Sequence, residues 1–186
     1  MLRKLLLYTA LLTLTQCSQC KKNDPTPQPP KDPLSTLPAE TQTGAGTFGC
    51  LVNGKVYAAL AAIKCRGDWQ GLNTLYISAD CNSNTSYSSD FFSTGMLLNG
   101  NLSNGQVFNL VRFSQPINST LSQFVADANI KLCGYRGNNI KTGQVELVKF
   151  DGVARIASGR FAFTLYEPGS GCDTLRVTNG RFDVKF

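Results

Sequence analysis

The sequence predicts an all-β domain, a single antiparallel β-sandwich or barrel of about ten short strands, and three observations carry that prediction. Between Phe48 and Phe186 apolar residues recur at every second position, the mark of half-buried strands. Clusters of Gly, Asn, Ser and Asp separate the runs, as tight turns require. Only Thr120 to Ala128 could hold a helical turn or two, so nothing is available to cover two faces of a parallel sheet.

Phe48, Cys50 and Val52 share one face of the first strand, and Asn53-Gly54 supplies the two positive-φ residues of a type I′ hairpin before Lys55-Val56-Tyr57. Thr74 to Ala79, Phe91 to Leu98, Gln106 to Phe113, Asn129 to Tyr135 and Gln144 to Phe150 continue the pattern. Asp151-Gly152 is a second tight turn. It leads into Val153 to Tyr166, where Gly159 predicts a bulge or a bend. Leu175 and Val177, then Asn179-Gly180, then Phe182, Val184 and Phe186 read as a closing hairpin.

Upstream of the domain the chain has a different character. Arg3 and Lys4 precede an apolar run from Leu5 to Leu14, and Leu14-Thr15-Gln16-Cys17 has the shape of a lipobox. The run is shorter than the roughly 20 residues a membrane-spanning helix needs, so residues 1–17 are expected to be a lipoprotein signal peptide with Cys17 acylated. Cys20 is the alternative site, but it has Cys17 where a bulky apolar residue belongs. Residues 18–44 hold six of the eight prolines and almost no large apolar side chain, which predicts a disordered tether. Residues 45–186 are then one domain.

The whole chain carries +6; from Ala45 onward there are 13 Lys and Arg against 9 Asp and Glu, a net +4. These charges are scattered singly, without a basic run or helical face, so nucleic acid is not an expected partner.

The segment Thr43-Gly44-Ala45-Gly46-Thr47-Phe48-Gly49-Cys50-Leu51-Val52-Asn53-Gly54, with Ser158-Gly159-Arg160-Phe161-Ala162-Phe163 and the ending from Cys172-Asp173-Thr174 to Gly180-Arg181-Phe182-Asp183-Val184-Lys185-Phe186, resembles a family of Bacteroidota lipoproteins of unknown function. The resemblance is strong at both ends of the domain and thin between Ala59 and Ile130. It implies an exported, membrane-anchored all-β protein and no particular activity. Lys21 and Lys22 depart from the acidic run that accompanies surface display in such proteins, so a periplasm-facing outer-membrane lipoprotein is expected.

Seven cysteines in an exported chain are read first as disulfides. With Cys17 taken by lipid, Cys65 with Cys81 and Cys133 with Cys172 are the expected pairs, among many arrangements the count allows. Cys50 falls on a core-facing position and is expected to be free. A zinc site is not expected, because no CxxC lies in the domain and histidine is absent. No cofactor is implied.

Lack of histidine also removes Ser-His and Cys-His nucleophile pairs. Gly169-Ser170-Gly171 lacks the strand-to-helix setting of a nucleophile elbow. The acids are isolated beside turns, among them Asp68, Asp80, Asp127 and Glu146, and Asp80-Cys81-Asn82 opens no calcium loop. Trp69 in a Gly- and polar-rich connection, with Tyr76 and Tyr87, is the candidate binding surface for a sugar or peptide. Two readings follow. One is a non-catalytic binding or structural module of the envelope, taking a protein, glycan or small ligand through its loops; the other is a carboxylate-dependent hydrolase, for example one acting on glycans.

Overall fold

The computed structural model describes residues 32–59, 64–71, 73–83, 91–112, 121–130, 133–135, 140–167 and 171–186. Cys17, Cys20, Tyr87 and the expected signal peptide lie outside these residues, as does Ser170.

Twelve strands are described: β1 (Thr47–Val52), β2 (Lys55–Ala59), β3 (Cys65–Trp69), β4 (Thr74–Ser83), β5 (Phe91–Asn99), β6 (Gln106–Asn109), β7 (Val111–Arg112), β8 (Gln123–Ile130), β9 (Cys133–Tyr135), β10 (Ile140–Asp151), β11 (Ile156–Leu165) and β12 (Leu175–Lys185). They form two layers of six strands packed face to face, a β-sandwich. The first layer runs β6-β10-β11-β12-β1-β2. The second is built on β4-β5-β8, with β3 beside β4 and with β7 and β9 beside β8. Pairing is antiparallel except for the two-residue parallel contact of β7 with β8.

The layers are joined on one side by Tyr57 opposite Ser83 and Ala58 opposite Asn82. On the other side the stretch Gln106–Arg112 pairs with β10 through its first half and with β8 through its second, crossing between layers at Leu110. Alternation puts Phe48, Tyr57, Ile77, Phe92, Met96, Phe124, Leu147, Phe161, Phe163 and Val184 into one core between the layers. Its centre is aromatic: Phe163 stacks with Phe92, Phe124 and Phe161 at centroid distances of 6.0, 4.1 and 5.9 Å.

The Asn53-Gly54 hairpin forms with φ of 48° and 82° at its two central residues. Three expectations are corrected. Thr120 to Ala128 holds no helical turn among its described residues; from Gln123 it is strand β8, paired along its length with β5. Its alternation of Phe124, Ala126 and Ala128 into the core outweighs helix propensity. Asn179-Gly180 is a bulge rather than a hairpin. Both halves of β12 pair with the same two strands, and the extra residue lies between Thr178 and Arg181 opposite β1. Asn179, at φ 52°, absorbs it. Gly159 marks a close approach, since a Cβ there would strike the Glu146 carbonyl and the Phe182 ring, whereas the irregularity lies opposite it, in β10 between Leu147 and Lys149.

The folded unit starts at Asp32, not Ala45, so residues 32–44 are not tether. Asp32 caps a 3-10 turn, Pro33–Thr36, and the chain then runs as a strap over the outer face of the first layer. Arg181 donates to the Pro38 carbonyl at 3.0 Å, Lys149 to the Gln42 carbonyl at 3.2 Å, and Arg160 to Glu40 at 2.7 Å. Asp183, only 1% exposed, anchors the strap. Its carboxylate accepts from Thr41 Oγ1 at 2.6 Å and from the amides of Gly44, Thr43 and Ala45 at 2.8, 3.0 and 3.1 Å. Burial pushes the Asp183 carboxyl up, but these hydrogen bonds outweigh it and hold it below the usual aspartate range. Gly49 makes room for the strap: a Cβ there would lie 2.5 Å from Pro38 Cδ.

Cys133 and Cys172 form a disulfide. It ties β9 of the second layer to the connection entering β12 of the first, and the Tyr135 hydroxyl adds a 2.6 Å bond to the Asp173 carbonyl. Cys50 is a free buried thiol, as its core-facing phase predicts. The expected Cys65–Cys81 bridge is corrected: both are free and buried. Cys65 stands opposite Ala79, so Cys81 is a diagonal neighbour two residues along, at ~7–8 Å between Cα atoms, beyond disulfide reach. Burial pushes the Cys65 thiol up to about 12 and raises Cys50 and Cys81 as well, so none is a ready nucleophile.

Candidate functional site: an open trough on the second layer

The outer face of the second layer is free of the strap and carries a trough of about 640 Å³. Strand register builds it row by row. Asp80 of β4, Ser93 of β5 and Asp127 of β8 stand side by side. Two residues along the strands lie Arg66, Ser78, Gly95 and Val125, and beyond them Asp68 beside Tyr76. Each of these is on the opposite parity from the core residues of its strand.

Gly95 is the key to the floor. A Cβ at this position would collide with the Tyr76 hydroxyl and ring, so the phenol end of Tyr76 occupies the space over the glycine. Burial raises the Tyr76 phenol, Asp80 adds to the effect and Arg66 opposes it, which keeps the phenol a neutral donor. Ser93 donates to Asp80 at 2.6 Å. Asp68, Asp80, Asp127 and Arg66 are all exposed to solvent.

Past the Asp80–Ser93–Asp127 row the trough continues into a second depression of about 540 Å³, which shares Ser93 and Asp127 and contains Phe91. Phe91 is 42% exposed, against a fully buried Phe92. A ring therefore sits on either side of the acidic row. From Gly95, under Tyr76, to Phe91 is four residues, or ~13 Å along the strand.

The sequence-predicted surface of Trp69, Tyr76 and Tyr87 is not one surface. Trp69 and Tyr76 are on opposite faces of the second layer. Trp69 packs edge-on against Phe150 and Phe186, with centroids 6.1 and 5.8 Å away, and stays 43% exposed. Tyr76 alone of the two enters the trough. Asp80, Asp127 and Phe91 were not legible as a site, because only the register of β4, β5 and β8 brings them together. The one available signal was the outward phase of Phe91 beside the inward Phe92.

Among the described residues no group of three or more His, Cys, Asp or Glu side chains is placed to hold a metal ion. No described helix is long and apolar enough to cross a membrane. Comparison of the chain with protein-family models, with curated proteins and with solved structures finds no match.

Proposed function

We propose that this chain is an exported, lipid-anchored envelope protein whose β domain is a non-catalytic binding module for a glycan, with the trough as its binding surface. The observation that carries this reading is Tyr76, its phenol end seated over Gly95 between hydrogen-bonding side chains on an open sheet face. A sugar ring has the matching character: an apolar face to stack on an aromatic ring and hydroxyls at its rim for carboxylates and a guanidinium.

The hydrolase alternative is less well supported. Glycoside cleavage needs one carboxyl desolvated enough to hold a proton, and the acids of the trough are solvent-exposed. The proposed anchor rests on the lipobox shape at Cys17. Labelled palmitate should enter the full chain and fail to enter Cys17→Ala; labelling lost only in Cys20→Ala would move the anchor.

Affinity electrophoresis of the full chain through gels containing soluble glycans tests the binding reading. Retardation by at least one glycan, abolished in Tyr76→Ala, is expected. No retardation, or retardation indifferent to Tyr76, would overturn it, and turnover abolished by Asp80→Asn would replace the module with the hydrolase.

A further inference from the structure

We propose that the trough selects a glycan bearing protonated amino groups, a hexosamine chain that is not N-acetylated. This rests on the glycan reading and adds the ligand's charge. Three carboxylates, Asp68, Asp80 and Asp127, line the trough against one guanidinium, Arg66. The local balance is thus negative within a domain whose residues from Ala45 onward carry a net +4. A polycation is repelled by the domain as a whole, so attraction to it has to come from this face. A polyanion meets the opposite situation and is excluded from the trough.

Hydrogen-bonding capacity points the same way. Ser93 spends its proton on Asp80, so the central row of Asp80, Ser93 and Asp127 presents acceptors only. An acceptor-only row between two rings suits a ligand whose flat units stack at the rings and whose substituents between them are donors. An ammonium offers three donors and no acceptor, and its bonds to carboxylates are of the charge-assisted kind, roughly twice as strong as neutral ones. An acetamide in the same place brings a carbonyl that the row cannot donate to.

A cationic peptide is the less suitable occupant. Peptides are captured on sheets by adding a strand to a free edge, and the strands at the centre of the trough, β4 and β5, are paired on both sides; β3, with a single described partner, lies only at its rim. The face offers side chains and an aromatic ring instead of main-chain partners.

The test compares binding of the full chain to three oligosaccharides of equal length: fully deacetylated oligoglucosamine, its N-acetylated counterpart and oligogalacturonate. Titration calorimetry at a pH where the amines are protonated should show the deacetylated oligomer bound at least about tenfold more tightly than the acetylated one, the worth of one good charge-assisted bond. Galacturonate should not bind. Asp127→Asn should bring the ratio toward one, Tyr76→Ala should abolish binding, and Tyr76→Phe, which keeps the stack, should retain it. Glu40→Gln on the opposite face should change nothing.

Equal, Tyr76-dependent affinity for both hexosamine oligomers would overturn the charge selection and leave the glycan module standing. Deacetylated binding that survives both Tyr76→Ala and Asp127→Asn would mean adventitious polycation binding and overturn it also. Failure of every glycan, these three included, would remove the module reading itself.

Discussion

The two outer faces of this sandwich are built from the same alternation and treated in opposite ways. On the first layer Lys149, Arg160 and Arg181 point outward and are bonded by the strap, which meets them with Glu40 and with main-chain carbonyls. On the second layer Asp68, Asp80 and Asp127 point outward and are exposed, with no strap over them among the described residues. A face that has found its partner within the chain is structural. The other face keeps a shaped, charged and aromatic surface, which is why the proposed binding site is placed there.

The difference predicts where substitutions are felt. The largest effect should come from the link between layers. Removing the disulfide by Cys133→Ala with Cys172→Ala opens a loop with a sequence separation of 39, worth about 4 kcal/mol in the chain-entropy account. Urea unfolding under non-reducing conditions measures it. Peptide mapping of the wild type should find Cys50, Cys65 and Cys81 as thiols that react with a maleimide only after denaturation.

Next comes the covered face. Asp183→Ala leaves three amides and a hydroxyl of the strap without their acceptor, and should cost ~2–4 kcal/mol. Residues 32–44 should then become open to protease while the rest of the domain resists.

The same clamp sets an acid limit. Because the folded Asp183 carboxyl titrates below its ordinary value near 3.8, its stabilisation is present in full above that value and is lost as the pH falls through the lower folded one. The stability difference between wild type and Asp183→Asn should therefore shrink below about pH 4. A difference that stays constant down to pH 2 would show that the carboxylate charge contributes nothing.

Smaller still is the Glu40–Arg160 pair, whose side chains are about half exposed. Glu40→Ala should cost under about 1 kcal/mol. Smallest of all in stability, within about 0.5 kcal/mol, is Asp127→Asn on the open face, even as the binding ratio collapses. A loss of stability there comparable to that of Asp183→Ala would make the trough a structural surface too.

The same contrast decides what could be read from the sequence. The motifs at both ends of the domain stood out, and the structure shows what they do. Gly49 clears space for Pro38, Asp183 clamps the strap, Asn53-Gly54 turns the first hairpin and Gly159 admits the Phe182 ring. These tasks demand one residue type at one position, so they leave marks in the sequence. The strap itself was hidden because its composition is that of a tether; what orders it is a carboxylate some 140 residues away. Trough residues leave no such mark. Asp80, Ser93 and Asp127 look like solvated strand positions until three strands are placed in register. Trp69 drew attention by rarity, yet its phase on β3 turns it away from the trough, to pack against Phe150 and Phe186 while still 43% exposed.

The strand that crosses between the layers at Leu110 has a further effect. A sheet that ends in long unpaired strands invites copies of the same protein to add on, and crowding raises that risk. Here the two ends of the ladder, β6 and β7, belong to one stretch of chain spent on both layers, and the outermost β9 is three residues long. The crossing thus spends one stretch of chain on both ends of the ladder, while β3, paired only with β4 among the described strands, leaves a five-residue margin that carries Arg66 and Asp68, charges of the kind that discourage an added strand.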